Sequence, residues 1–219
     1  METRRLNVVD LGLLRYEEAR IIQENRVEQV RDGADETLFL VEHPAVVTLG
    51  RKGGLDNLLT EASILAERGV EVVQSSRGGD ITCHYPGQLV AYPIFRIERR
   101  PGGLKCFFRD LEEAVIATVA RFGVSAGRVE GRTGVWVGNR KICAMGLAVR
   151  RWVTWHGLSL NVGADLGLFS NITACGLADA RVTSLVLETG DHTINIPRVK
   201  EVFVVEFRKI LAPAALVEG

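Results

Sequence analysis

From Leu104 to Phe122 the residues Leu104, Phe107, Phe108, Leu111, Val115, Val119 and Phe122 keep the i, i+3, i+4, i+7 spacing of one helical face, with Arg109, Asp110, Glu112 and Glu113 outside it. A stripe this long predicts a helix lying on a packed surface, and the short runs around it supply that surface. Leu38 to Glu42 and Ala45 to Gly50 are β-branched or aromatic and separated by His43-Pro44, so they read as strands joined by a tight turn. Val70 to Gln74, Leu89 to Phe95 and His156 to Val162 have the same character. Thr133 to Val149 reads as a hairpin turned at Gly138-Asn139. A helix is expected from Leu13 to Val30 on Leu14, Ile21, Ile22, Val27 and Val30, stopped at Asp32-Gly33, and a last one from about Pro197 to Pro213. Strands and helices alternate irregularly, which predicts an α+β fold with a mixed, mostly antiparallel sheet and flanking helices. No repeat or linker divides residues 1–219, so one domain is expected.

Composition narrows the function classes. An apolar share of 47% and a charged share of 25% mark a globular chain, and 27 basic against 27 acidic side chains leave none of the basic excess of a nucleic-acid coat. No run approaches the roughly 18 apolar residues of a spanning helix, and no apolar stretch follows the N-terminal arginines. A cytoplasmic, unprocessed protein without membrane or nucleic-acid partners is expected, and a monomer is the default. The four cysteines, Cys83, Cys106, Cys143 and Cys175, show no Cys-x-x-Cys pair, and the four histidines show no i, i+4 pair, so no metal site is expected.

Chemistry is suggested by a few places. Ser75 to Val90 carries Gly78-Gly79 and Pro86-Gly87, which let backbone approach a ligand where a Cβ would collide, or simply make two turns around a strand. It matches neither a Walker A loop nor a dinucleotide fingerprint. Lys141 enters an apolar strand directly after a turn, where burial would let it act as a base, although a hairpin lysine can also snorkel to water. Cys106 and Cys143 sit in apolar periodic runs and read as buried structural thiols, whereas Cys175 lies among Thr173, Ala174 and Gly176, leaving its sulfur accessible. His84 and His156, each beside a glycine turn, are alternative bases for a thiol. Between Arg121 and Arg151 the bases Arg121, Arg128, Arg132, Arg140, Lys141, Arg150 and Arg151 face one acid, Glu130, and on one surface they would steer an acidic partner.

Taken in order, EHPAVVTLGR, RGGDITCHYPGQLV, GVWVGNRKICAMGLAVRRWVTWHGLSLNV and ITACGL resemble the lipoyl(octanoyl) transferase family, over about residues 38–186. The resemblance implies an α+β fold similar to the catalytic module of biotin and lipoate protein ligases. It also implies transfer of an octanoyl group from octanoyl-acyl carrier protein to a lysine of lipoyl domains, those of 2-oxoacid dehydrogenases and the glycine cleavage H protein. By position, Cys175 becomes the acyl-thioester nucleophile and Lys141 its partner. Arg77, Gly78, Gly79, Asp80, Ile81, Thr82, Cys83 and His84 would line the acyl site, with Ala144, Met145 and Gly146 and with Gly157, Leu158 and Ser159. Exchange of one thioester for another needs no ATP and no metal. The chain departs from the family pattern at Cys83, Tyr85, Trp155 and Ala174, and Tyr85 and Trp155 are expected to add bulk beside the acyl pocket. Two alternatives stand beside this reading. An ATP-dependent lipoate or biotin-type ligase would resemble R-R-x-S-G-G-G where this chain has SSRGGD, and a non-catalytic carrier- or lipoyl-domain-binding protein would keep the fold without turnover.

Overall fold

A computed structural model describes residues 6–98, 100–173 and 181–212. In chain order the elements are β1 (Leu6–Leu13), α1 (Tyr16–Arg31), β2 (Glu36–Glu42), β3 (Val46–Leu49), α2 (Ala62–Glu67), β4 (Glu71–Gln74), β5 (Ile81–His84) and β6 (Gln88–Ile94). They continue with α3 (Gly103–Ala120), β7 (Gly127–Val129), β8 (Arg132–Val137), β9 (Arg140–Arg150), β10 (Val153–Asn161), β11 (Arg181–Val182), α4 (Leu185–Thr189) and α5 (Ile196–Leu211). The large sheet runs β1-β2-β6-β10-β9-β8-β7, with β11 on β9, and a small sheet runs β4-β3-β5. Among the described residues the parallel pairs are β1 with β2, β11 with β9 and β3 with β4. The mixed, mostly antiparallel α+β architecture is therefore the one the sequence predicts.

The long stripe forms α3, and it packs with α5 on one face of the large sheet. Phe95, just past the end of β6, packs tilted against Phe107 and edge-on against Phe207 at ring separations of 5.4 and 5.7 Å, and Phe203 and Leu111 complete a fully buried layer. Leu104, at the start of the stripe, is instead exposed, and so is Cys106, which corrects its reading as a buried structural thiol. Asn195 caps α5 by accepting the Arg198 N–H at 3.1 Å, and Pro197 fills the first turn. On the opposite face α1 buries Ala19, Gln23, Val27 and Val30, while Ile21 lies in solvent.

The turn at His43-Pro44 does something the sequence does not announce. β2 and β3 leave it into different sheets: β2 pairs with β1 and β6, and β3 with β4 and β5. His43 holds this corner. Its Nδ1 donates to the Leu14 carbonyl at 2.7 Å, which leaves Nε2 to accept from the Tyr92 hydroxyl at 2.8 Å. The hairpin at Gly138-Asn139 forms as expected between β8 and β9.

The basic segment is not one free cationic face. Arg121 pairs with Glu206 and Arg128 with Glu112 and Glu113, each at 2.9 Å, and Arg140 pairs with Glu188 at 2.7 Å. Arg150 and Arg151 approach Glu28 at 3.5 and 3.7 Å. The carboxylates come from α1, α3, α4 and α5, distant in sequence from the arginines they meet.

Phe107→Ala should cost about 3–5 kcal/mol of unfolding free energy, because a fully buried ring leaves a cavity among other rings. Leu104→Ala, three residues earlier on the same stripe, should stay within about 0.5 kcal/mol of the parent. Urea denaturation of the two variants checks both values.

Candidate functional site

The segment after β4 lies in the seam between the two sheets, and backbone bonds lock it there. Gly50, Arg51 and Lys52 donate their N–H groups to the carbonyls of Asp80, Arg77 and Gly79 at 3.0–3.1 Å, and Gly78 donates to the Leu147 carbonyl at 2.9 Å. The loop is thus stitched to the end of β3 on one side and to β9 on the other. Its glycines serve this approach: a Cβ on Gly146 would stand 2.5 Å from the Gly78 carbonyl oxygen, and one on Gly78 would stand 2.9 Å from that of Leu147. The glycines thus bring protein backbone against protein backbone, rather than opening room for a ligand at those two positions.

Arg77 is buried, and its guanidinium is aimed at β3. Nη2 donates to the Thr48 carbonyl at 2.7 Å and to the Thr48 hydroxyl at 3.0 Å, where Nε adds a third bond at 3.1 Å. A charge taken out of water is tolerable only when its donors are met, so this cluster fixes both the arginine and the loop that carries it.

Below the loop is a cavity of about 210 Å³, at the small end of ligand sites and suited to a narrow chain rather than a broad ring system. Of the residues expected at the acyl site, Arg77, Gly79, Asp80, Ile81, Thr82, His84, Ala144, Met145, Gly146, Gly157, Leu158 and Ser159 line it. The antiparallel register explains how two separate triplets meet: Ala144, Met145 and Gly146 of β9 lie directly opposite Ser159, Leu158 and Gly157 of β10. Gly78 and Cys83 are not among the lining residues. Gly78 is taken up by its bond to β9, and Cys83 alternates with Thr82 and His84 and is buried in the small-sheet core with Val47, Leu65 and Ile172. The expectation that Tyr85 and Trp155 crowd the pocket is corrected. Tyr85 packs edge-on against Phe169 and donates to Asn161 Oδ1 at 3.1 Å, while Trp155 joins the core beneath α1.

Tyr16, Lys52, Val90, Tyr92, Thr133 and His156 also line the cavity. Of these, sequence reasoning had considered only His156; the others come from elements whose convergence no local pattern announces. Val90 is the exception in hindsight, since it pairs with Ser159 across β6 and β10.

The histidines here are neutral. His84 donates from Nδ1 to Gln88 Oε1 at 2.8 Å, while the Gln88 amide donates to Asn161 Oδ1 at 2.9 Å and so fixes which way the glutamine points. Burial, reinforced by the neighbouring His43, pushes His84 down to about 3. Burial likewise pushes His43 to about 4 and His156 to about 3, the latter with Arg77 adding to the effect. His156 holds a left-handed backbone at φ 55°, stacks on Trp155 at 4.1 Å and meets the Ser76 hydroxyl through Nε2 at 3.0 Å. Burial also raises the phenols of Tyr16 and Tyr92, so both stay protonated.

Lys141 is buried, as its place in the strand suggests, with its Nζ 4.6 Å from the centre of the Trp136 ring, a contact that offsets part of the cost of desolvating an ammonium. Ala144 to Gly146 of the cavity wall follow it on the same strand. Cys175, with Ala174, lies outside the described residues. Among the described residues no cluster of histidine, cysteine or carboxylate could hold a metal ion, and no helix is long and apolar enough to cross a membrane.

Residues 15–208 match the family described as the lipoyl protein ligase A/B catalytic domain. The chain is 57% identical over 211 residues to an octanoyltransferase of Nitratidesulfovibrio vulgaris strain DP4, covering 96% of this chain and 97% of that one. It is 54% identical over 212 residues to the octanoyltransferase of Maridesulfovibrio salexigens, covering 96% and 99%. Among solved structures, a bipartite lipoate protein ligase from Thermoplasma acidophilum superposes with a TM-score of 0.78 at 17% identity, covering 95% of this chain and 84% of that one. A lipoate-protein ligase A bound with ATP gives 0.75 at 19%, covering 96% and 86%. At such identities the structures show a shared fold.

Three buried neutral histidines make stability depend on pH. Each has a folded pKa below the unfolded value of about 6.5, so the unfolded chain binds more protons, and stability present above that value is lost as the pH falls. Together they should give a slope approaching about 4 kcal/mol per pH unit near pH 5.5. Urea unfolding between pH 7 and 5 should show the midpoint falling steeply; a flat profile would contradict the neutral assignment.

Proposed function

The chain belongs to the lipoyl protein ligase A/B catalytic-domain family, and we propose that it moves an octanoyl group from octanoyl-acyl carrier protein to a lysine of lipoyl domains through a thioester on Cys175. Like its octanoyltransferase relatives it is an acyltransferase. The observation that carries the finer reading is the convergence on one narrow cavity of Arg77, Gly79 to Thr82 and His84 with Ala144 to Gly146 and Gly157 to Ser159, and with Lys141 buried on the strand that supplies one wall.

The chemistry follows from the residue types. A free thiol with a pKa of about 8.5 is a few per cent thiolate at neutral pH, and a nearby ammonium favours the thiolate. His84 and His156 are held neutral by burial. With pKa values pushed down to about 3 they are too weakly basic to take a thiol proton, and Lys141 is the group we assign to activating Cys175. The thiolate attacks the thioester carbonyl carbon, the carbon–sulfur bond to the carrier breaks, and the carrier thiolate leaves with a proton from the Lys141 ammonium, which is left as the neutral amine. Backbone N–H groups near Gly176 are assigned to the oxyanion. In the second half the neutral amine of the lipoyl lysine attacks the acyl carbon, the amide forms, Cys175 departs as the thiolate, and the neutral Lys141 amine takes the proton of the attacking nitrogen, which restores the thiolate–ammonium pair. One thioester replaces another before the amide forms, so neither ATP nor a metal is required, and a monomer in the cytoplasm suffices. The acceptors are lipoyl domains of 2-oxoacid dehydrogenases and the glycine cleavage H protein.

Intact-protein mass spectrometry after mixing with octanoyl carrier protein, without ATP, should show a gain of one octanoyl group on Cys175, lost when lipoyl domain is added. Cys175→Ser should show no thiol-linked adduct, and normal turnover in that variant would overturn the mechanism. Modification that appears only with ATP would move the reading to an adenylating ligase, and none in either case to a binding protein. Lys141→Ala should lower the rate about 10²–10⁴-fold and shift alkylation of Cys175 by iodoacetamide to higher pH. An unchanged alkylation profile would mean that the lysine does not activate the thiol.

A further inference from the structure

Many cations on this molecule are matched with carboxylates: Arg20 with Glu17 and Glu24, Arg31 with Glu28 and Asp32, Arg100 with Glu36, and Arg128, Arg140 and Arg150 as described above. Arg51 and Lys52 are not, and they lie where the loop frames the cavity. Both are exposed, they are adjacent in sequence, and among the described residues neither makes an ion pair. Their backbone is nevertheless fixed, because the Arg51 and Lys52 N–H groups are bonded to the loop that frames the cavity. Lys52 lines the cavity itself, and the charge of Arg51 is felt at His156 on its far wall. Two acids lie on the same rim. Asp80 is occupied, accepting from the Ile81 N–H at 2.7 Å and from the Asn57 amide at 2.9 Å, and Asp56 points to solvent beside Gly54.

Inside the cavity the surroundings are different. Val90, Met145 and Leu158 are apolar, the histidines are neutral, and the Arg77 guanidinium is turned toward Thr48. The site therefore offers apolar side chains among neutral polar ones, with the exposed Lys52 on its lining and the exposed Arg51 next to it in the chain. That polarity matches one kind of donor: an acyl chain in thioester linkage to a pantetheine arm whose other end is a phosphodiester. With the chain inside, the arm leaves through the mouth and its phosphate is the only negative charge on it.

We propose that Arg51 and Lys52 form the anion subsite for the phosphodiester of the carrier's prosthetic arm. This inference rests on the acyl-transfer reading above, since it needs the acyl chain of a carrier-bound donor to occupy the cavity. The cations sit on flexible stems over a rigid backbone, so they accept a phosphate without rebuilding the loop. Charge-assisted bonds of this kind are worth about 1.5–3 kcal/mol, equivalent to roughly ten- to 150-fold in KM.

The test compares octanoyl-pantetheine with octanoyl-4′-phosphopantetheine, small donors that differ only in the phosphate. For the parent protein kcat/KM for acyl-enzyme formation should favour the phosphorylated donor by about tenfold or more, through KM rather than kcat. That preference should shrink with added salt. In the double variant Arg51→Gln, Lys52→Gln the ratio between the two donors should fall toward one. A parent protein that does not distinguish the donors, or a double variant that keeps the preference, would overturn the subsite while leaving the acyl-transfer reading intact. No acyl-enzyme from either donor or from octanoyl carrier protein would overturn that reading, and the subsite with it.

Discussion

A guanidinium out of water needs its donors met, and Arg77 meets that need with bonds to Thr48 and to the Gly78 carbonyl on which the rest of the site depends. Thr48 belongs to the small sheet and Arg77 to the loop after β4, so the three bonds tie the two together. The loop's other edge is held by Gly78 against β9 of the large sheet. The seam between two sheets becomes a cavity with a fixed roof, and the strand register of β9 and β10 supplies the floor. Removing the arginine's partners would leave a buried charge without compensation, a loss of several kcal/mol and of the roof itself.

The polar layer around the cavity follows the same rule at lower charge. His43 spans the corner where β2 and β3 part, bonded to Leu14 and Tyr92, and Tyr16 meets Ser75 at 2.7 Å. These groups each have a hydrogen-bond partner, whereas His156 Nδ1 is buried without one among the described residues, and burial keeps the imidazoles neutral. Thiol activation by a charged histidine is therefore disfavoured at these positions. A lysine held against the Trp136 ring stands on the strand of the cavity wall, while the guanidinium of Arg77 on that wall is engaged with Thr48.

Legibility in the sequence tracked how local the cause was. The helix from Leu104 onward, the Gly138-Asn139 hairpin and the Pro197 helix start depend on neighbours within a few positions, and all three are present. β1 went unread because it is a half-exposed edge strand with Asp10 and Gly12 interrupting its alternation. The parting of β2 and β3 was invisible because its cause, the bond from His43 to Tyr92, spans 49 residues. The basic run from Arg121 to Arg151 looked like a surface for an acidic partner because a count along the chain cannot see Glu28, Glu112, Glu188 and Glu206 arriving from other elements. Most of the cavity was legible from motif positions. Tyr16, Lys52, Tyr92 and Thr133 were not, since each reaches the cavity from an element that carries no signal for it.

The central claim is that the acyl chain occupies the cavity roofed by the Arg77 loop. An octanoyl thioester carrying a photoreactive diazirine near the end of its chain tests this most directly, with the labelled peptides located by mass spectrometry. Label in the peptides of β5, β9 and β10, at residues such as Thr82, Met145 and Leu158, is the predicted result. Label in the open groove between β1 and α1, lined by Val8, Ile22 and Phe39, would contradict it.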